Sequence, residues 1–125
     1  MHIALAADQH MLPGLHVTLY SLLASTSAEV HIHLVLEGIN DRQISRLQDT
    51  VTRAGKGRLH KIPFETLGVP EGPADIHGSR LCFSLLVLHK FLKVDRFVWV
   101  DSDLIVMKDV EPLSSVSFTE PIAAA

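Results

Sequence analysis

Residues 97–103 read Phe97-Val98-Trp99-Val100-Asp101-Ser102-Asp103 and give the strongest indication of the fold class. A short apolar run is interrupted abruptly by two carboxylates. Such a run is typical of a buried strand in a parallel sheet. In open parallel sheets, ligands bind beyond the carboxyl ends of the strands. The stretch therefore predicts an α/β domain whose ligand-binding edge is acidic.

The two aspartates of this stretch are candidate metal ligands. Asp101 and Asp103 are two residues apart, so a turn at Ser102 would let both carboxylates converge on one cation. Without a cation, adjacent carboxylates repel each other. Hard oxygen ligands suit Mg²⁺ or Mn²⁺ better than Zn²⁺. The alternative is a plain turn, since Asp and Ser are frequent turn residues.

The residues before this strand predict a loop and then a helix. Residues 63–78 contain three prolines and three glycines, which indicates a long loop over the top of the sheet. Loops of this length in compact domains are usually functional or mobile. From Arg80 to Leu92, apolar residues recur at helical spacing, which predicts a helix with a wide buried face.

The first 63 residues alternate strand and helix patterns. Strands are predicted at residues 2–7, 30–36 and 58–63, and a helix is predicted from about Leu12 to Ser25. A second helix should begin with a capping box at Asn40 and Gln43 and end at Gly55. This order predicts a doubly wound, Rossmann-like, mainly parallel sheet with helices on both faces.

Size and composition limit the functional classes. The 125 residues suit one domain, taken as residues 1–125, and 47% hydrophobic residues exclude overall disorder. A net charge of −3 with scattered basic residues argues against nucleic acid as a partner. Cys82 is the only cysteine, so no intrachain disulfide can form. Without a signal sequence or an 18-residue apolar run, we expect a cytoplasmic protein without a transmembrane segment, and leave peripheral membrane attachment open.

Asp8 and the histidines are further candidates. Asp8 ends the first strand at the edge where Asp101 is expected, so it could accept a hydrogen bond from a nucleobase amide or simply cap the next helix. His31 and His33 have a spacing that can hold zinc, but the sequence shows no third ligand, and a solvated strand face is the alternative. The other histidines considered show no paired spacing: His10, His16, His60, His77 and His89. Among them, His77 lies in the long loop and is best placed to meet a ligand.

Several common motifs are absent. The sequence has no Walker-type loop, no serine-nucleophile motif and no Gly-x-Gly-x-x-Gly after the first strand. ATP and dinucleotide binding therefore lose most of their support.

Taken together, these stretches resemble the N-terminal half of glycosyltransferase family 8, which includes glycogenin and bacterial lipopolysaccharide glucosyl- and galactosyltransferases. The resemblance covers nearly all of residues 2–125. It is carried by three segments: Ile3–Asp8, Thr18–Leu23 and Phe97–Val106. It implies an A-type glycosyltransferase fold and a retaining transfer of a hexose from a UDP-sugar to a saccharide or lipopolysaccharide-type acceptor.

The resemblance also implies roles for individual residues. Asp101 and Asp103 would bind Mn²⁺, or Mg²⁺, bridging the UDP diphosphate, with Ser102 near the ribose. The uracil pocket would be lined by Ala6, Ala7 and Asp8.

Two positions depart from the family pattern. Met11 lies near a position where family members usually carry an aromatic residue. Leu85 aligns with a basic residue, for which Arg80 is the nearest substitute. The family's third metal ligand, a histidine, and its acceptor-binding segments correspond to positions beyond Ala125, so we expect this chain to supply only the donor-binding half.

Two alternatives stay open on sequence alone. Haloacid dehalogenase phosphatases also place two aspartates after an apolar strand. There the motif usually lies on the first strand, with Thr or Val at the position of Ile105. The other alternative is a non-catalytic remnant that binds nucleotide weakly or packs against a partner. An incomplete sheet edge also makes self-association an expectation.

Overall fold

The centre of the protein is a parallel sheet with the strand order β3-β2-β1-β4. The structure is a computed structural model, and it describes residues 1–70, 79–117 and 119. The strands are β1 (His2–Asp8), β2 (Val30–Glu37), β3 (Gly57–Pro63) and β4 (Val98–Trp99). The prediction of a mainly parallel α/β fold is confirmed.

Two long helices cover one face of the sheet. They are α1 (Leu12–Ser25) and α2 (Asp41–Ala54), and their apolar stripes form a core with β1 and β2. The predicted capping box is present: Asn40 Oδ1 accepts from Gln43 N at 3.0 Å, and Gln43 Oε1 accepts from Asn40 N at 2.9 Å. Gly55 ends α2 in the left-handed region with φ of 98°, as its position in the sequence predicts.

The opposite face carries a smaller core. Phe64 and Leu67, from a 3₁₀ turn directly after β3, pack with Leu81 and Leu88 against the sheet. The helix predicted for residues 80–92 is shorter in the structure. It consists of a 3₁₀ turn at Leu81–Phe83, α3 (Ser84–Leu88), and hydrogen-bonded turns to residue 92. Ser79 Oγ accepts from Leu81 N at 3.2 Å at the start of this segment, and 3₁₀ turns are frequent at the ends of α-helices.

β4 is also shorter than the predicted strand 97–100. Among the described residues, β4 pairs only with β1, through Ile3 opposite Val98 and Ala4 opposite Trp99. One further bond, from Val100 N to Ala4 O at 2.9 Å, leads the chain toward the acidic residues. Of the predicted long loop, residues 71–78, including His77, lie outside the described part of the chain.

Candidate active site at the carboxyl edge of the sheet

Two acidic segments follow neighbouring strands at the same edge. β1 ends at Asp8, and the chain leaves β4 toward Asp101. Asp8 Oδ1 accepts hydrogen bonds from His10 N at 2.8 Å and Met11 N at 3.2 Å. This oxygen therefore caps the turn that leads into α1, which is the structural role considered for Asp8. Its Oδ2 accepts no hydrogen bond from the described residues.

The Asp101-Ser102-Asp103 segment forms a turn with its centre buried. Ser102 is 2% exposed and donates a hydrogen bond to Met11 Sδ at 3.5 Å, whereas both aspartates are exposed. Within the described residues, neither aspartate carboxylate has a hydrogen bond or an ion pair. Free, outward-facing carboxylate oxygens are the donor set that a hard divalent cation takes. The side chains of Asp101 and Asp103 therefore suit Mn²⁺ or Mg²⁺ and could supply two ligands to such an ion.

Helix α1 packs against this turn. A Cβ added at Gly14 would come within 3.2 Å of Ser102 O and 3.3 Å of Asp103 Cα and Cβ. The first turn of α1 thus approaches the acidic turn so closely that a side chain would crowd it. The absence of a side chain at Gly14 permits this contact.

Hydroxyl groups of α1 hold the chain that leaves the acidic turn. Thr18 Oγ1 donates to Leu104 O at 2.8 Å and accepts from Leu104 N at 2.9 Å. Further along, Ser21 Oγ accepts from Val106 N at 3.0 Å, and Ser25 Oγ donates to Val106 O at 2.9 Å. These side chains satisfy backbone groups that a neighbouring strand would otherwise bind. Residues 104–106 are thereby fixed without being part of the sheet.

These hydroxyl contacts are functional support that the sequence reasoning missed. Thr18, Ser21 and Ser25 recur at three- and four-residue steps along one side of α1. That spacing is a readable signal because residues three or four apart lie on one helix face.

The other predicted donor-site residues have different surroundings. The Ala7 side chain is fully buried in the core beneath α1 and α2, so only its backbone could meet a nucleotide. Ala6 is partly buried on the opposite face. The Arg80 guanidinium lies 5.9 Å from the centre of the Phe64 ring and donates to Pro70 O at 3.2 Å. Arg80 thus packs beyond β3 and forms no described hydrogen bond with the acidic turn.

Two further observations delimit the site. Among residues 1–70, 79–117 and 119, no group of three or more His, Cys, Asp or Glu side chains has the arrangement to hold a metal ion. A cleft of about 450 Å³ lies at the carboxyl ends of β2 and β3, with Asn40 and Lys61 in its wall, and does not include the acidic turn.

The described helices include none long and apolar enough to cross a membrane.

Comparison with known families settles the membership of the chain. The model of the family described as glycosyl transferase family 8 matches residues 2–125. The chain belongs to glycosyltransferase family 8. The predicted resemblance is confirmed, and membership of a glycosyltransferase family argues against the phosphatase alternative. A comparison with curated proteins finds no significant match.

Solved structures of other glycosyltransferases share the fold. A structure of the galactosyltransferase LgtC in complex with donor and acceptor sugar analogs superposes with a TM-score of 0.73 at 23% identity, covering 94% of this chain and 43% of LgtC. The bifunctional glycosyltransferase WbbM gives 0.80 at 15% identity, covering 94% of this chain and 21% of WbbM. GlyE of Streptococcus pneumoniae gives 0.69 at 19% identity, covering 93% and 26%. This family 8 chain therefore spans less than half the length of these structures.

Proposed function

We propose that this family 8 chain forms the donor-binding half of a retaining hexosyltransferase that uses a UDP-sugar and a divalent metal ion. The observation that carries the proposal is the acidic turn after β4. Asp101 and Asp103 expose two carboxylates, neither of them bonded to another described residue, at the edge where parallel α/β sheets bind ligands.

In this proposal the two aspartates hold Mn²⁺ or Mg²⁺ against the diphosphate of the donor. When bound, the metal ion would stabilise negative charge on the departing nucleoside diphosphate. The protein's own contribution is to hold both carboxylates in place. Buried Ser102 anchors the turn, and the contacts of Gly14 and Thr18 fix its position on α1.

Asp8 is proposed to contribute to the uracil site through the oxygen that the helix turn leaves free. Its Oδ1 accepts from backbone amides, whereas Oδ2, to which no described residue donates, could accept from the imide N–H of uracil. The backbone of Ala6 and Ala7 leads to this position along β1. A saccharide or lipopolysaccharide-type acceptor, cytoplasmic location and self-association remain predictions from the sequence.

Calorimetric titration with UDP tests this proposal. We expect binding in the presence of Mn²⁺ and a loss of roughly tenfold or more, about 1.4 kcal/mol, when EDTA replaces the metal. Asp103→Ala should cause a similar loss in Mn²⁺. The matched control is Asp95→Ala, because Asp95 is also exposed but precedes β4 at the opposite edge of the sheet.

The alternatives give different results in the same titration. UDP binding that is equal in Mn²⁺ and EDTA would overturn the metal assignment. No detectable binding by the folded chain would overturn the proposal that these residues form a donor site and would favour the non-catalytic alternative.

A further inference from the structure

Four histidine side chains lie on one face of the sheet, in its amino-terminal half. His2 belongs to β1, His31 and His33 to β2, and His60 to β3. His2 is the register partner of His31, and His33 is the partner of His60. Partners in a parallel ladder point to the same face, so the three strands bring the rings together. We call this group the histidine cluster.

The rings of the histidine cluster are neighbours in a closed square. Ring centroids are 4.9 Å apart for His2 and His31, 5.2 Å for His2 and His33, 5.4 Å for His31 and His60, and 4.9 Å for His33 and His60. Nitrogen atoms face each other across two of these sides. His2 Nδ1 lies 2.9 Å from His33 Nε2, and His31 Nδ1 lies 3.1 Å from His60 Nε2.

These nitrogen pairs have a separation that a transition metal ion can bridge. Metal–imidazole bonds are roughly 2.0–2.1 Å long. Two nitrogens at the observed separations would therefore subtend roughly 90–100° at the ion, near the angle between adjacent ligands of a square-planar or octahedral metal. In the metal-free protein one ring donates an N–H to the other. A tautomer change moves that proton to the outer nitrogen and leaves both facing lone pairs free.

The His2–His33 pair and the His31–His60 pair differ in their exposure to solvent. His33 is only 9% exposed, so the pair that it forms with His2 is largely closed to solvent. His60 is exposed and His31 is partly exposed, so this second pair has room for water ligands.

The surrounding charges do not prevent metal binding at the accessible pair. Arg58 is the register partner of His31 on β3, but its guanidinium forms an ion pair with Glu29. The amino group of Met1 is held by Glu29 O at 2.8 Å. No third His, Cys, Asp or Glu side chain within the described ranges completes a closed shell. A metal ion at this pair would therefore have two protein nitrogens and open positions for other ligands.

We propose that His31 and His60 form a chelate for a divalent transition metal ion of the copper, nickel and zinc class, with water in the remaining positions. Imidazole nitrogen suits these metals, whereas the carboxylates of the acidic turn suit Mn²⁺ and Mg²⁺. The two sites lie toward opposite ends of the sheet. The proposal does not depend on the proposed transferase function.

Electron paramagnetic resonance of Cu²⁺ added to the untagged chain tests the proposal. We expect one bound ion per chain, with hyperfine structure from two imidazole nitrogens. His60→Gln and His31→Gln should each weaken binding roughly tenfold or more. The matched control is His89→Gln, because His89 is also exposed but lies after α3, outside the histidine cluster. Circular dichroism establishes that each variant is folded.

Three results would overturn the assignment. One is Cu²⁺ binding that is unchanged in both folded variants. Another is loss of binding only in His2→Gln, which would assign the ion to the terminal amine and His2. The third is a spectrum without nitrogen coupling. Because the readout is metal coordination, it is separate from UDP binding at the acidic turn.

Discussion

Gly14 of α1 packs directly against the backbone of Asp103, and a Cβ at Gly14 would lie 3.3 Å from the Cα of that aspartate. The helix that follows β1 is thus in contact with the acidic turn that follows β4, although the two residues are 89 positions apart in the chain. This contact links the position of the proposed metal ligands to the position of α1. It also makes the site sensitive to a single added methyl group.

Gly14→Ala should therefore weaken metal-dependent UDP binding more than it affects stability. The new methyl group must displace the Ser102–Asp103 backbone, since the contact is tighter than ordinary packing. Alanine also favours the helix by roughly 1 kcal/mol over glycine. In the free energy of unfolding, this gain offsets the cost of the strain. We expect UDP affinity in Mn²⁺ to fall about fivefold, roughly 1 kcal/mol. Calorimetry together with thermal unfolding measures both effects, and unchanged affinity would contradict the contact.

Thr18→Val should destabilise the protein by roughly 2–4 kcal/mol, because it leaves the N–H and C=O of Leu104 without their partner. Thr18 is fully buried, so water cannot replace the hydroxyl without rearrangement. The control is Thr18→Ser, which keeps the hydroxyl and should lose less unfolding free energy than Thr18→Val. Urea unfolding gives the comparison. Equal stability of the valine and serine variants would show that the two hydrogen bonds do not fix this segment.

Ser25→Ala removes a single contact in the same row of hydroxyls, the bond to Val106 O. One hydrogen bond contributes roughly 0.5–1.5 kcal/mol, so the loss of unfolding free energy should be clearly smaller than for Thr18→Val. The same urea experiment measures it. A loss as large as that of Thr18→Val would mean that residue 106, rather than residue 104, anchors the chain after the turn.

Acid should weaken the contact between α1 and α2 at His16. Its Nδ1 lies 2.8 Å from Thr50 Oγ1, and burial, with a smaller contribution from the charge of Arg46, lowers the His16 pKa below 6.5. Just below pH 6.5 the unfolded chain therefore binds more protons than the folded one at this residue, and stability falls as the pH falls toward the folded-state pKa. His16→Asn should reduce the loss of stability between pH 7 and pH 5.

Unfolding in urea at several pH values checks this expectation for His16. The matched control is His89→Asn, since His89 is exposed and follows α3, which packs in the core on the other face of the sheet. If the His16 variant and wild type lose stability equally on acidification, the titration of His16 does not contribute.

Local signals in the sequence were sufficient to predict most elements of the fold. The capping box of α2 and the glycine that ends it depend on residues within one or two helical turns, so they can be recognised without tertiary contacts. The length of β4 could not be predicted in this way. It depends on how many residues of β1 pair with β4, which is a property of the sheet and not of residues 97–100.

The candidate site was predicted only in part. An apolar strand followed by two aspartates is visible in the sequence, but the support from Gly14 and Thr18 depends on packing between distant segments. For a similar reason, the sequence indicates only part of the histidine cluster, namely that His31 and His33 share one strand face. Its members occupy three strands, and only the relative register of those strands shows that His60 lies beside His33.

We propose that Asp101 and Asp103 hold a divalent metal ion together with UDP. The electron paramagnetic resonance signal of free Mn²⁺ in the presence of UDP, recorded with and without the protein, tests this claim. We expect wild-type protein to reduce the free-ion signal below the level with UDP alone, and the Asp101→Asn/Asp103→Asn variant to leave it at that level. An equal reduction by wild type and by this doubly substituted, folded variant would contradict the claim.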